Sequence, residues 1–335
     1  MTRREFIATI GGVAAFPLLA RAQQATKMRR IAVVHPSLPI ADLRETGSSA
    51  FFRAFFNELR RLGYLENSNI VIERHTAEGR TDRYAEVARQ VVNSGPDLVL
   101  AVSPEMVRPF KAATTTIPIV AIVADPIAFG FIASLARPGG NITGVAVDAG
   151  LAELWGKRLQ LLKELVPTIS KVAMLSPQGR WQAVYERDMP PLAQQIGVTV
   201  FDAPVSSPLQ AAEYQRAITD ISQRGGEGIL VDTAAQHMTN RKLIVEQCEQ
   251  ASLPAIYPFR EFAEIGGLMT YAVDLLSQGR RAATQVDAII KGAIPSEIPF
   301  SLVTKYEFII NLKMAKTLGI TVPPALLARA DEVIE

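Results

Sequence analysis

The chain has 335 residues, of which 48% are hydrophobic, and it carries 35 basic and 33 acidic side chains. A chain of this length can bury a large core, and ordinary domain sizes indicate two domains. Residues 1–22 hold three arginines and one glutamate, so the remainder carries 32 basic and 32 acidic side chains. Because a neutral chain has no general attraction for nucleic acid or anionic lipid, the composition predicts no nucleic-acid partner.

The first 22 residues have the features of an export signal. Arg3 and Arg4 open a basic segment, an apolar stretch follows over residues 6–19, and residues 20–22 form the Ala-Arg-Ala pattern of a signal-peptidase site. The twin arginines favour the Tat route, with Sec as the alternative. The apolar stretch is shorter than the roughly 20 residues that cross a bilayer. With no cysteine at the cleavage site for a lipid anchor, the pattern predicts a protein released into the periplasm.

The alternation of elements predicts the fold. Apolar runs typical of buried strands alternate with helical patterns, which is characteristic of parallel sheets covered by helices. The predicted strands form two series, at residues 30–34, 70–73, 97–102 and 117–123 and at residues 171–175, 198–203, 228–231 and 255–257. The sequence therefore predicts an α/β fold with two Rossmann-like lobes. A predicted helix at residues 274–291 and the tail after residue 295 are interpreted as segments that cross back between the lobes.

Motifs that carry catalytic or metal chemistry are missing. The single cysteine, Cys248, excludes an intramolecular disulfide and a CxxC site, and its helical context predicts a buried apolar role. His35, His75 and His237 form no i, i+4 pair for a metal. The sequence also lacks GxGxxG, GxxxxGKS/T, GxSxG and HExxH patterns. It therefore predicts no catalytic residue, no metal ligand and no cofactor.

Polar residues at the ends of predicted strands are candidate ligand contacts, because ligands of open α/β sheets bind outside the carboxyl ends of the strands. Ser103 and Asp125 each precede a proline, which suits the first position of a helix. The helix after Ser103 is predicted to offer N–H groups to a carboxylate. Asp232 would accept a hydrogen bond from an amine or hydroxyl, and Thr233 follows it. Ser37, in the first loop, completes this group; simple helix capping is the alternative for the strand-end residues.

Loop and aromatic side chains extend the candidate set. Arg180 would pair with a ligand carboxylate, and Trp181 would stack on an apolar ligand. Phe259 and Tyr271 would form an apolar wall. The alternative is a solvated arginine beside aromatic side chains that belong to the core. Together the candidates predict a small molecule with a carboxylate and an apolar or aromatic body, with a neutral sugar as the alternative.

Longer segments resemble one family. These are residues 134–144 (SLARPGGNITG), 257–260 (YPFR), 266–271 (GGLMTY), 308–313 and 328–334. They are similar, in order, to the ABC transporter substrate-binding family that includes tryptophan-binding TrpX-type proteins. The resemblance implies a type I periplasmic-binding-protein fold, in which two lobes joined by a multi-crossover hinge close on a solute. It also implies a small-molecule ligand and an ABC permease in the inner membrane as partners of a monomeric, non-enzymatic protein.

The resemblance also implies boundaries and roles. After the signal at residues 1–22, the N-terminal lobe would comprise residues 27–145 plus about 274–298, and the C-terminal lobe residues 146–273 plus about 299–335. The strand-end side chains Ser103, Asp125 and Asp232 would face the cleft. Residues 137–144 resemble a structural turn into the second lobe rather than a phosphate loop. Residues 178–181 lack the Asn-Pro start that similar proteins have, so the ligand is not carried over from the family.

Two other functions are alternatives. A periplasmic two-domain α/β enzyme would use the same cleft, although the absent motifs argue against it. A repressor-type sensor would need a DNA-binding helix-turn-helix before the lobes, where the chain instead has its predicted signal. The sequence therefore predicts the periplasmic solute-binding component of an ABC importer.

Overall fold

The computed structural model describes residues 28–147, 151–207, 209–302 and 305–335. The predicted signal at residues 1–22 lies outside these ranges. The described chain forms two sheets, each covered by helices on both faces. Cys248 is buried, as its sequence context predicted.

The first sheet has six parallel strands. In spatial order they are β11 (Ser301–Leu302), β5 (Ile142–Ala146), β4 (Ile119–Val123), β3 (Leu98–Val102), β1 (Arg29–His35) and β2 (Ile70–Thr76). Its helices are α1 (Ala50–Arg61), α2 (Tyr84–Ser94), α3 (Pro104–Ala113) and α10 (Leu275–Ile290). Ile31 and Val33 of β1 pack in one core with α1 and α10. Ala32 and Val34 face the opposite core with α2 and α3, as expected for a strand buried on both sides.

Helices α1 and α10 pack unusually closely. Helix α1 buries a stripe of phenylalanines, and Ser49 caps its first turn by accepting a hydrogen bond from Phe52 N. Gly279 of α10 lies against this helix, where an added Cβ would be 2.3 Å from the Phe51 carbonyl oxygen. A glycine is therefore needed for α10, which follows the second series of strands in sequence, to dock on the first sheet.

The second sheet has seven strands. In spatial order they are β13 (Glu332–Ile334), β12 (Tyr306–Asn311), β10 (Met269–Val273), β9 (Ala255–Tyr257), β8 (Gly228–Val231), β6 (Lys171–Pro177) and β7 (Thr199–Val205). Its helices are α4 (Leu151–Leu165), α5 (Met189–Ile196), α6 (Ala211–Gln223), α7 (Ala235–Thr239), α8 (Arg241–Gln250), α9 (Arg260–Glu264), α11 (Leu312–Thr317) and α12 (Pro324–Leu327). The two sheets are mostly parallel, as predicted, and the exception is β12, which runs antiparallel to β10.

Judged from the described strands, the chain passes from one sheet to the other three times. It leaves the first sheet after β5, returns after β10 through α10 and β11, and crosses again to β12. Because Ser301–Leu302 pairs with β5, the last crossing falls after residue 302 rather than near residue 299. The segment at residues 137–144 is also only partly a turn: Ile142–Ala146 forms a strand paired with β4.

Candidate functional site

A cavity lies where the carboxyl ends of the two sheets face each other. From the first sheet it is lined by His35 at the end of β1, Ser103 after β3 and Ala124 after β4. From the second it is lined by Thr233 after β8 and Phe259 after β9. Its volume of about 130 Å³ is about ten times what one water requires, which is room for a small solute.

Most of the cavity wall is apolar. Phe51 and Phe52 reach it from α1, Val123 and Val273 from strand ends, and Phe259 from the start of α9. An apolar wall with a few polar groups is typical of small-molecule sites, in which the wall supplies affinity and the polar groups fix orientation.

The polar groups are centred on Arg180. Its Nε lies 2.5 Å from Asp232 Oδ2, and its Nη1 donates to Glu105 Oε1 at 2.6 Å. Ser103 Oγ donates to the other oxygen of Glu105 at 2.7 Å. Arg180 and Asp232 belong to the second lobe, whereas Glu105 and Ser103 belong to the first. An ion pair therefore joins the two lobes beside the cavity.

Burial and charge oppose each other at Arg180. Burial would lower the pKa of the guanidinium, yet the nearby charges, with that of Asp232 the largest, raise the pKa above its ordinary value. Burial also raises the pKa of Tyr185 well above its ordinary value, so its hydroxyl stays neutral. Arg180 is therefore a permanent cation, and its charge is already balanced by Asp232 and Glu105.

Four of the residues predicted from the sequence line the cavity: Ser103, Arg180, Thr233 and Phe259. Ser103 has a positive φ of 78°, and its carbonyl accepts the N–H groups of both Met106 and Val107. The Met106 N–H, which belongs to the first helical turn expected to offer donors to a carboxylate, is therefore already used.

The structure places the other predicted residues elsewhere. Ser37 accepts from Thr239 across the lobes, and the Asp125 carboxylate caps a turn by accepting two backbone N–H groups at 2.9 Å. Trp181 packs in the core of the second lobe, in a π-helical turn with Tyr185. Tyr271 stacks on Tyr306, with ring centroids 5.4 Å apart.

Asp232 is fully buried and is not at the cavity surface. Its Oδ1 accepts from Ala234 N at 2.9 Å and from the Thr233 hydroxyl at 3.3 Å, while its Oδ2 faces Arg180. The carboxylate thus holds Arg180 and the loop after β8 in place rather than presenting a free acceptor to a solute.

Among the described residues, sequence reasoning missed seven polar or ionisable residues that line the cavity: His35, Ser48, Ser49, Glu105, Arg241, Glu261 and Gln278. Glu105 directly follows Ser103-Pro104, so its position was available from the strand-end pattern. Acidic residues are common in the first turn of a helix, because they interact favourably with its N–H groups and its dipole. Glu105 therefore does not stand out in the sequence as a residue of the cavity.

His35 makes stability depend on pH. Its Nδ1 accepts from Leu38 N at 2.9 Å and from Ser37 N at 3.1 Å, and burial lowers its pKa from 6.5 to about 3. Below pH 6.5 the unfolded chain takes up a proton that the folded chain refuses, so stability falls by up to about 1.4 kcal/mol per pH unit down to pH 3. The His35→Asn variant retains an acceptor but does not titrate. In urea unfolding, we expect the free energy of unfolding of this variant to fall less between pH 7 and pH 4.5 than that of the wild type. Equal decreases in the two proteins would contradict this role of His35.

Direct hydrogen bonds hold the lobes together. Gln236 Nε2 donates to the Tyr84 hydroxyl at 2.7 Å, and Ser37 Oγ donates to the Ala235 carbonyl at 3.2 Å. Tyr84 and Ser37 belong to the first lobe, and their partners to the second. The described conformation is therefore closed.

The Tyr84→Phe variant tests this closure. It leaves the buried Gln236 amide without its partner, which should cost about 1–3 kcal/mol in the closed form alone. We expect a larger radius of gyration in solution scattering and an apparent solute affinity about tenfold weaker. The control is Tyr64→Phe, which removes a hydroxyl bonded at 2.8 Å to Asp287 within one lobe. Equal effects of the two variants on the radius would contradict an interlobe role.

Known proteins provide a comparison. The model of a family described as ABC transporter substrate binding protein matches residues 45–334. A tyrosine-binding protein of Clostridioides difficile is 24% identical over 288 residues, which cover 85% of this chain and 78% of the relative. A conserved domain protein of Vibrio cholerae has a similar structure, with a TM-score of 0.81, 25% identity and coverage of 92% of this chain and 100% of the other. A Streptococcus pneumoniae ABC domain in complex with L-Trp has a TM-score of 0.79, 23% identity and the same coverage.

These structural neighbours confirm the two-lobed α/β fold of the type I periplasmic-binding-protein class. Within the described ranges, no helix is both long and apolar enough to cross a membrane. The same residues contain no group of three or more His, Cys, Asp or Glu side chains placed to hold a metal ion.

Proposed function

Because the chain belongs to the family of ABC transporter substrate binding proteins, we propose that it captures a small organic solute between its lobes for an ABC importer. The solute is bound without chemical change and released to a permease in the inner membrane. The observation that carries this proposal is the largely apolar cavity at the carboxyl ends of both sheets, enclosed by two lobes that touch through hydrogen bonds and an ion pair.

The wall chemistry favours an amino acid with an apolar or aromatic side chain. Phe51, Phe52 and Phe259 can enclose such a side chain, and the polar groups near Arg180 can orient a charged head. The relatives whose names report tyrosine or L-Trp support the same class. We propose Ser103, Arg180, Thr233 and Phe259 as solute contacts among the sequence candidates, with Asp232 acting through Arg180.

Export to the periplasm forms part of the proposal. It rests on the twin arginines and the Ala-Arg-Ala pattern of residues 1–22. Mass spectrometry of the native protein should find a chain that begins near Gln23 in the periplasmic fraction. An intact Met1 in the cytoplasmic fraction would contradict export.

A thermal-shift screen tests solute binding. Amino acids, des-amino acids, dicarboxylates and sugars are each added to the purified protein. A solute that binds only the folded state at 100 times its Kd stabilises it by about 2.7 kcal/mol and raises the melting temperature. We expect the largest shifts from apolar and aromatic amino acids, with the solute recovered unchanged by mass spectrometry. No shift from any class, or conversion of the solute, would contradict the proposal; conversion would favour the enzyme alternative.

A further inference from the structure

We propose that Glu105 accepts the ammonium group of an amine-bearing solute and thereby sets the charge preference of the cavity. This inference rests on the proposed function and specifies how the same site would choose among solutes. It assigns to Glu105 the role that the sequence pattern suggested for Asp232.

Asp232 lacks the access that this role requires. Its side chain has no exposed surface, and Arg180 lies between it and the cavity. Both carboxylate oxygens already have partners, namely the Arg180 guanidinium on one side and the Ala234 N–H and Thr233 hydroxyl on the other. A solute ammonium could reach it only by displacing a buried arginine.

Glu105 has that access. Its side chain lines the cavity and is 32% exposed, compared with 7% for Arg180 and 0% for Asp232. Arg180 Nη1 and Ser103 Oγ each donate to a different oxygen of Glu105, which fixes the carboxylate in one orientation. An ionised carboxylate has about four acceptor positions, so further donors can still be accommodated.

The charges around the cavity also favour a solute that carries an ammonium group. Among the residues that the structure describes, the charged side chains in and directly behind this cavity are the cations Arg180 and Arg241 and the anions Asp232, Glu105 and Glu261. His35 adds no charge at neutral pH, since burial lowers its pKa to about 3. The formal excess is therefore one anion. A cationic amine reduces this excess, whereas a second solute carboxylate increases it, so the cavity should favour amino acids over des-amino acids and dicarboxylates.

Glu261 is the competing acceptor. It lines the cavity, and its Oε2 is buried without a hydrogen-bond partner. Burial raises the pKa of its carboxyl group, and its buried oxygen is less accessible to an ammonium group than the Glu105 carboxylate. Glu105 is held in place by two donors and is more open to the cavity. It is therefore the better acceptor for an ammonium group.

The test uses solute pairs that differ only in the amine. We would titrate L-phenylalanine and 3-phenylpropionate, L-tyrosine and 3-(4-hydroxyphenyl)propionate, and L-tryptophan and indole-3-propionate into the purified protein. The wild type should bind the amine member of a pair at least about tenfold more tightly. Glu105→Gln keeps an acceptor for Arg180 but removes the charge, so it should lose most of that preference, whereas Glu105→Asp should retain part of it.

The matched control is Glu153→Gln, which removes one negative charge from the exposed face of α4 and should keep the preference. An unchanged preference in Glu105→Gln would overturn the inference while leaving solute capture intact. The inference would also fail if Glu261→Gln alone abolished the preference. If the wild type binds no member of any pair, the proposed solute class is wrong, and so is this inference.

Discussion

The Asp232→Ala variant is expected to lose about 3–5 kcal/mol of unfolding free energy, because it leaves the buried Arg180 cation without its main partner. The guanidinium lies 2.5 Å from the Asp232 carboxylate, and the two side chains are 7% and 0% exposed. Among the described residues, Glu105 is the other anion paired with Arg180, but it belongs to the other lobe and is more open to water. The expected result is thus a large loss of folding stability rather than a simple loss of one solute contact.

Urea unfolding followed by circular dichroism measures this loss. The control is Asp188→Ala, which breaks an exposed pair with Arg187 and should change stability little. The double variant Arg180→Met/Asp232→Ala removes both buried charges and should recover much of the stability. If Asp232→Ala is as stable as the wild type, Arg180 has another route to charge compensation and the role assigned to Asp232 is wrong.

The Gly144→Ala variant is expected to lose about 4 kcal/mol or more, because two independent obstacles oppose a side chain at this position. Gly144 lies in β5 with a φ of +155°, which residues other than glycine rarely adopt. An added Cβ would also lie 1.9 Å from the Ala121 carbonyl oxygen of the paired strand β4. Relief would require β4 and β5 to separate, and this would also disturb the cavity at the ends of these strands.

A second glycine provides the control for backbone strain alone. Gly197 has a φ of +77° at the end of α5, and an added Cβ there would have no atom within 4 Å. Gly197→Ala should therefore cost only about 1–2 kcal/mol, the usual penalty of a left-handed conformation. Similar losses for the two variants in urea unfolding would show that the close approach of β4 and β5 does not constrain residue 144.

Element type was more predictable than element boundaries. The apolar runs predicted the central strands well, including β9 at Ala255–Tyr257. The structure of the glycine-rich stretch was harder to predict. Gly139 and Gly140 have a positive φ and form a turn, but β5 begins shortly after them. After the π-helical turn at Trp181–Tyr185, helix α5 begins at Met189, and Pro190 and Pro191 occupy its first turn. Proline suits that position, since its missing N–H has no helical partner there.

The position of the candidate site was predictable from the sequence, but the pairing of its charged side chains was not. Strand-end reasoning placed Ser103, Arg180 and Asp232 at the edge of the sheets beside which the cavity lies, because ligands of open α/β sheets bind outside the carboxyl ends of the strands. It could not show that Arg180 folds back on Asp232, since the contact depends on side-chain direction across the neighbouring strands β6 and β8. The role proposed for Glu105 depends on a contact between lobes, which no local sequence pattern shows.

Calorimetric titration of the wild type and of Ala124→Trp tests the central claim, that a solute is captured in this cavity. Ala124 follows β4 and lines the cavity, so an indole at this position should fill the space that the solute needs. The solute would be the amino acid with the largest thermal shift. The account predicts one solute per wild-type chain and no measurable binding to Ala124→Trp, with little change in the melting temperature of the solute-free variant. Equally tight binding by a folded Ala124→Trp would contradict it.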